Sequence, residues 1–196
     1  MELSKKFHEA LEFSMQLHAT QFRKDTSIPY GSHLLIVAGY VLDYGGTEQE
    51  AIAGLLHDAI EDQGGAPVAQ EIEKRFGVDV KEIVEGCSDS HTTPKPPWRD
   101  RKEAYLRHLR EASPSVRRVS AADKLHNARA ILRDLRVFKD KLWNRFNAEQ
   151  DEILWYYRAL ADTFKALDAG PLPEELDRVV SHIEELAAEL SDREAK

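Results

Sequence analysis

The eight residues Leu55-Leu56-His57-Asp58-Ala59-Ile60-Glu61-Asp62 place four ionisable side chains inside an otherwise apolar helical run. The pattern predicts one helix from Thr47 to Asp62. At about 100° per residue, Asp58, Glu61 and Asp62 fall roughly 100°, 40° and 140° round the axis from His57, so all four share a side. Ile52, Leu55, Leu56, Ala59 and Ile60 fill the opposite side, and the small Ala51 and Gly54, one turn below the charges, are expected to leave room for an ion or substrate. A helix that turns acids and an imidazole into the protein must offset their desolvation with hydrogen bonds or a cation. The chain therefore has to build a polar site within a helical core, and a metal ion is the first expectation.

The remaining pattern is helical as well. Residues 2 to 20 carry Phe7, Ala10, Leu11, Leu17 and Ala19 near helical spacing, with His18 expected as a histidine of the helix end. A polar connection from Gln21 to Gly31 bears the adjacent cations Arg23 and Lys24. Ser32 is a candidate cap for a helix that holds His33 in its first turn, where the positive helix end favours the neutral, metal-binding imidazole. Thr47 and Glu50 have the form of a capping box. Residues 67 to 76 and 78 to 86 read as two short helices split by Gly77. Ser113-Pro114 starts a helix with Asp123 and Asn127 on one face, four residues apart. Residues 133 to 146 read as a connector. Helices from about Asn147 to Ala169 and from 174 to 190 follow, separated by Gly170-Pro171-Leu172-Pro173. No segment alternates between apolar and polar residues between hairpin turns, so strands are not expected. The expected fold is all-α, one domain over 1–196, a bundle of about eight to ten helices.

The long irregular stretch, 88 to 99, is too polar to pack as core, and long loops in compact domains are often functional. It brings Lys95, Trp98, Arg99, Arg101 and Lys102 close together in sequence, of which Lys95 and Lys102 are taken as substrate-binding candidates. A net charge of −8 argues against binding to nucleic-acid polymers or anionic membranes, so a polyanionic ligand needs a local basic cluster of this kind. The single cysteine, Cys87, excludes an internal disulfide, no run approaches the roughly 20 apolar residues a membrane span needs, and no leader is expected. A cytoplasmic protein is expected.

His33, His57, Asp58 and Asp123 stand on three expected helices whose other faces are apolar. Two imidazoles and two carboxylates suit a divalent first-row ion with positions left open for water and substrate. They suit structural zinc poorly, because such sites prefer thiolates and close the coordination sphere.

The order H…HD…D resembles that of the HD-domain metal-dependent phosphohydrolases. The neighbouring residues narrow the likeness: Phe22-Arg23-Lys24 with Ile28-Pro29-Tyr30 and His33, Leu55-Leu56-His57-Asp58 with Glu61-Asp62, and Ala122 to Arg129 resemble successive motifs of the hydrolase domain of the Rel/Spo stringent-response proteins. The likeness covers roughly residues 5 to 165 and leaves no room for a synthetase or regulatory domain, so a stand-alone small alarmone hydrolase is expected. It implies His33, His57, Asp58 and Asp123 as metal ligands with manganese preferred over other divalent first-row ions, and Glu61 and Asp62 as the catalytic residues that handle water. It also implies Arg23, Lys24, Asn127 and Tyr156 as substrate-binding residues. The implied reaction removes the 3′-pyrophosphate of guanosine tetra- or pentaphosphate, giving GDP or GTP and pyrophosphate.

The chain departs from the family in three places. Leu34 replaces the proline that usually follows the first histidine. Glu152 stands where some small members have an arginine about four residues before the tyrosine, with Arg145 or Arg158 as candidate substitutes. The 88–99 loop is unlike that of the longer members. Hydrolysis of adenosine alarmones or of NADPH phosphate within the same fold, or an HD-type 5′-nucleotidase activity, are the alternatives to the main reading. The expected partner is a nucleotide, with no polymer and no membrane; the oligomeric state is left open.

Overall fold

In the computed structural model, which describes residues 2–88 and 96–194, the chain is all-α. It divides into two compact units, the first comprising Met1–Lys95 and Glu111–Asp123 and the second Pro96–Arg110 and Lys124–Lys196. Among the described residues the only β feature is an isolated antiparallel bridge between Phe22 and Pro29. No described helix is long and apolar enough to cross a membrane.

The first unit holds α1 (Lys5–Leu17), α2 (Gly31–Asp43), α3 (Glu48–Leu56), α4 (Ala59–Gln63), α5 (Ala66–Phe76), α6 (Val78–Cys87) and the first part of α8 (Pro114–Phe138). Helix α3 is its axis and packs against α1, α2 and α6. It is buried on all sides from Glu50 to Leu56, as suits a helix that is apolar all round. Each of Ile52, Leu55 and Leu56 contributes about 1.5–3 kcal/mol by leaving water. Its start follows the capping box: the Thr47 hydroxyl accepts from the Glu50 amide at 3.2 Å, and the Glu50 carboxylate accepts from the Thr47 amide at 2.7 Å. Gly77, at φ 99°, separates α5 from α6 as its freedom at positive φ allows.

Several expected boundaries differ. The predicted Thr47–Asp62 helix is broken: α3 ends at Leu56, and α4 starts only at Ala59. The His57 ring donates from Nδ1 to the Gly54 carbonyl at 2.8 Å, and this side-chain claim on a helix carbonyl competes with regular backbone pairing. Ser32 is not a cap; α2 begins at Gly31 with Tyr30 at the cap position and no side-chain capping bond. Gly54 leaves no room for an ion. A Cβ on Gly54 would lie 3.2 Å from the Ala38 Cα, so its role is the close approach of α3 to α2.

The second unit holds α7 (Trp98–Glu111) up to Arg110, the rest of α8, a 3₁₀ segment (Lys139–Arg145), α9 (Gln150–Leu167) and α10 (Pro171–Glu194). Trp98 and Arg99, expected in a loop, open α7. Residues 133–138, expected in a connector, extend α8. Helix α9 starts from Glu149 rather than from Asn147. Buried Leu176, Val179, Val180, Ile183, Ala187 and Leu190 follow helical spacing along α10, which packs on α9. Arg158 on α9 ties the pair by donating to Asp177 at 2.6 Å and to Glu184 at 2.7 Å.

Replacing Gly54 with Val is expected to force α2 and α3 apart and to lower stability by about 1–3 kcal/mol. Urea denaturation measures this, and an unchanged midpoint would contradict the close-approach role.

Candidate functional site

Four side chains converge in the first unit. His33 comes from the first turn of α2, His57 and Asp58 from the break between α3 and α4, and Asp123 from α8. His33 Nε2 lies 3.2 Å from His57 Nε2, 3.2 Å from Asp123 Oδ1 and 3.6 Å from Asp58 Oδ2. His57 Nε2 lies 3.0 Å from Asp58 Oδ2 and 3.7 Å from Asp123 Oδ1. Both histidines and Asp123 are buried, and Asp58 is partly exposed.

These spacings fit a shared cation. Ligand atoms each about 2.0–2.2 Å from one ion stand about 3.0 Å apart at right angles and about 3.4 Å apart in a tetrahedron. One donor atom from each of His33, His57 and Asp58 falls within 4.8 Å of the others, and two nitrogens with carboxylate oxygens suit a divalent first-row ion. The bond from His57 Nδ1 to the Gly54 carbonyl also fixes the tautomer, which leaves Nε2 as the nitrogen that faces the cluster. The bond to the Gly54 carbonyl is therefore what aims the ring.

Without a cation His57 and Asp58 hold each other in charged form. Burial alone would lower the His57 pKa, but the carboxylates of Asp58 and Asp123 hold it well above its ordinary value. Burial would likewise raise Asp58, yet the imidazoles of His57 and His33 hold it well below the usual carboxylate range.

The structure adds residues to which sequence patterning assigns no role. The Tyr30 hydroxyl donates to Asp58 Oδ2 at 2.5 Å, and its own pKa is raised by burial and by the Asp58 charge. Tyr30 stacks on His18 with ring centroids 5.2 Å apart and 15° between planes. Gln21 donates from Nε2 to Asp62 Oδ2 at 2.8 Å. The link between Gln21 and Asp62 spans 41 positions and the one between Tyr30 and Asp58 spans 28, so helical periodicity carries no sign of either.

The other candidates are distributed as follows. Glu61 and Asp62 lie on α4, within one turn of Asp58. Arg23 and Lys24 stand in the small hairpin closed by the bonds Arg23 N–H to Ile28 O and Tyr30 N–H to Gln21 O, and the Arg23 guanidinium lies 5.9 Å from the Tyr30 ring centroid. Asn127 follows Asp123 by four residues on α8. Lys102 and Tyr156 meet in the second unit, with the ammonium 4.9 Å from the ring centroid and Trp98 edge-on to the same ring. Lys95 and most of the 88–99 stretch lie outside the described residues. The two arginines expected to replace the missing one are engaged elsewhere: Arg145 pairs with Asp134, and Arg158 with Asp177 and Glu184. Glu152 instead receives Arg99 in a two-oxygen contact at 2.9 and 3.0 Å.

Residues 10–153 match the family model of the HD domain. The chain belongs to the HD domain family. Within it the chain is a Rel/Spo-like hydrolase. It is 35% identical over 162 residues to the guanosine-3′,5′-bis(diphosphate) 3′-pyrophosphohydrolase MESH1 of Xenopus tropicalis, covering 81% of this chain and 83% of the relative. To the Homo sapiens MESH1 it is 30% identical over 178 residues, covering 89% and 90%. Among solved structures, a metazoan ortholog of SpoT that hydrolyses ppGpp and plays a role in starvation responses superposes with a TM-score of 0.73 at 27% identity, over 91% of this chain and 96% of that one. The lmo0812 protein of Listeria monocytogenes EGD-e gives a TM-score of 0.69 at 27% identity, over 77% and 97%. In this HD domain the H…HD…D residues are the four that converge.

Two opposite linkages set the expected pH dependence of the metal-free protein. The raised His57 contributes stability that is full below its ordinary value of 6.5 and is lost as pH climbs through its folded value. The depressed Asp58 contributes stability that is full above 3.8 and is lost as pH falls through its folded value. EDTA-treated protein is therefore expected to be most stable between those two ordinary values. Saturation with a divalent cation should abolish the alkaline loss by taking the proton's place. Denaturation midpoints with and without metal test this, and a metal-free midpoint rising from pH 6.5 upward would contradict it.

Proposed function

We propose that the chain hydrolyses the 3′-pyrophosphate of guanosine tetra- or pentaphosphate with manganese, giving GDP or GTP and pyrophosphate. The carrying observation is the two-imidazole, two-carboxylate cluster next to Glu61 and Asp62, in a chain related over most of its length to MESH1 proteins named for this reaction. The family match from residue 10 to 153 takes in parts of both units, which supports a single hydrolase domain over 1–196. A nucleotide substrate also fits a cytoplasmic setting.

In this reading His33, His57, Asp58 and Asp123 hold the ion. When bound, a divalent ion lowers the pKa of coordinated water toward neutrality and offsets charge on phosphoryl oxygens. Glu61 and Asp62 orient the attacking water and take its proton. Water adds to the phosphorus attached to the 3′ oxygen, the bond between them breaks, and the 3′ oxygen takes up a proton as pyrophosphate departs. Tyr30 holds Asp58 in place through its hydroxyl, the role that partners of metal-binding carboxylates commonly have. Arg23 and Lys24 clamp phosphate or stack on the base, for which a planar guanidinium is suited. Asn127, Lys102 and Tyr156 are further substrate-binding residues, with the Lys102–Tyr156 contact as support for their acting together.

Manganese-loaded protein given guanosine tetraphosphate should release intact pyrophosphate. Release of single phosphate from the 5′ end would favour the nucleotidase reading instead. Asp58→Ala is expected to lose bound metal, whereas Glu61→Ala should keep it and lose most turnover; equal metal loss in both would refute the division of roles. Arg23→Ala should chiefly raise KM if Arg23 serves substrate and transition state equally, which steady-state kinetics would resolve.

A further inference from the structure

The Gln21 carboxamide, in the turn after α1, joins three side chains. Its Oε1 lies 2.6 Å from His18 Nδ1 and 2.5 Å from Gln63 Nε2, and its Nε2 lies 2.8 Å from Asp62 Oδ2. The directions of these bonds follow from chemistry. An ionised carboxylate only accepts, so Gln21 must present its NH₂ to Asp62 and turn its oxygen toward His18 and Gln63. That oxygen accepts from the Gln63 amide and also from His18, which must carry its proton on Nδ1.

His18 is suited to hold this arrangement. It is only 3% exposed and lies flat against Tyr30, whose hydroxyl is bonded to Asp58. Burial lowers its pKa, so the ring is neutral and has a single donor, which Gln21 receives. Its Nε2 has no hydrogen-bond partner among the described residues, so a ring flip that moved the proton there would strand a buried donor and break the bond to Gln21. Asp62, by contrast, is exposed and lies near the end of a five-residue helix, where packing does little to select a rotamer.

We propose that Gln21 is a positioning residue for Asp62, its carboxamide held by His18 and Gln63 so that the Asp62 carboxylate keeps one direction. This rests on the proposed assignment of Asp62 to the attacking water. The same His18–Tyr30 stack thus supports two acids of the site, Asp58 through the phenol and Asp62 through the Gln21 amide. Fixing a general base in advance removes orientational freedom that would otherwise have to be lost at each turnover.

The test compares Gln21→Met, which keeps length and removes both polar atoms, with Gln21→Glu, which keeps acceptors for His18 and Gln63 but faces Asp62 with a like charge. In the manganese-loaded full chain, both are expected to lower kcat on the order of tenfold, the scale seen when partners of site residues are removed. KM for guanosine tetraphosphate and bound manganese should stay close to wild type in both variants, and the thermal midpoint should stay close in Gln21→Glu, whereas Gln21→Met lowers the midpoint by leaving the buried His18 Nδ1–H without its acceptor. In an Asp62→Ala background, Gln21→Met should cost no further kcat. An unchanged kcat in Gln21→Met, the same fractional loss in both backgrounds, or a kcat loss matched by lost metal in either variant or by a lowered midpoint in Gln21→Glu would overturn the proposal. Full turnover in Asp62→Ala would overturn the assignment of Asp62 along with it, whereas loss in Asp62→Ala with none in Gln21→Met would overturn the role of Gln21 alone.

Discussion

Two imidazoles and two carboxylates share one small volume inside a helical unit, with the contacts between them running from 3.0 to 3.7 Å. Such a cluster cannot be left to itself: buried charges must be paired or shared with a cation. Much of the local structure answers that requirement. Gly54 lets α3 approach α2, which brings the helix bearing His33 against the one that ends at Leu56, just before His57. The Gly54 carbonyl then accepts from the His57 ring and aims its other nitrogen inward. A single residue thus serves the cluster twice, by lacking a side chain and by offering a backbone oxygen.

The break after Leu56 separates two kinds of acid. Asp58 sits in the break, beside the imidazoles, and its charge is stabilised by them. Glu61 and Asp62 are carried on α4 beyond it, and Asp62 is exposed and bonded to a neutral amide. A continuous helix would have put all four ionisable groups on one rigid face. Here His57 and Asp58 take their partners within the cluster and from Gly54 and Tyr30, while Asp62 in the next turn takes Gln21.

Much of the fold was legible in the sequence because local chemistry decides it. The Thr47–Glu50 capping box, Gly77 between two helices, and Ser113 before Pro114 act within four residues, and each stands where expected. The four clustered residues were legible by type, since imidazoles and carboxylates carried on apolar helices need one another or a cation once they leave water. What escaped was fixed across distance. The role of Gly54 depends on Ala38, and those of Tyr30 and Gln21 depend on Asp58 and Asp62. Helix α7 escaped for a different reason. It is rich in charged residues, with Tyr105, Leu106 and Leu109 as its buried positions, so its apolar stripe is thin.

Charge distribution in the second unit bears on how a polyanion could be met by a chain of net charge −8. Counting basic residues in the sequence overstates what is available there. Arg99 lies 3.2 Å over the Trp155 ring centre and is paired with Glu103 and Glu152, Arg145 is paired with Asp134, and Arg158 with Asp177 and Glu184. A guanidinium already bonded to carboxylates offers a phosphate little until that pairing is given up, and the exchange is close to neutral at a wet surface. The cations that the sequence offered as substitutes around Glu152 therefore serve packing of α7, α8, α9 and α10. In the proposed reading, charge compensation for a tetraphosphate then rests on the ion, on the Arg23-Lys24 pair and on Lys102 rather than on these arginines.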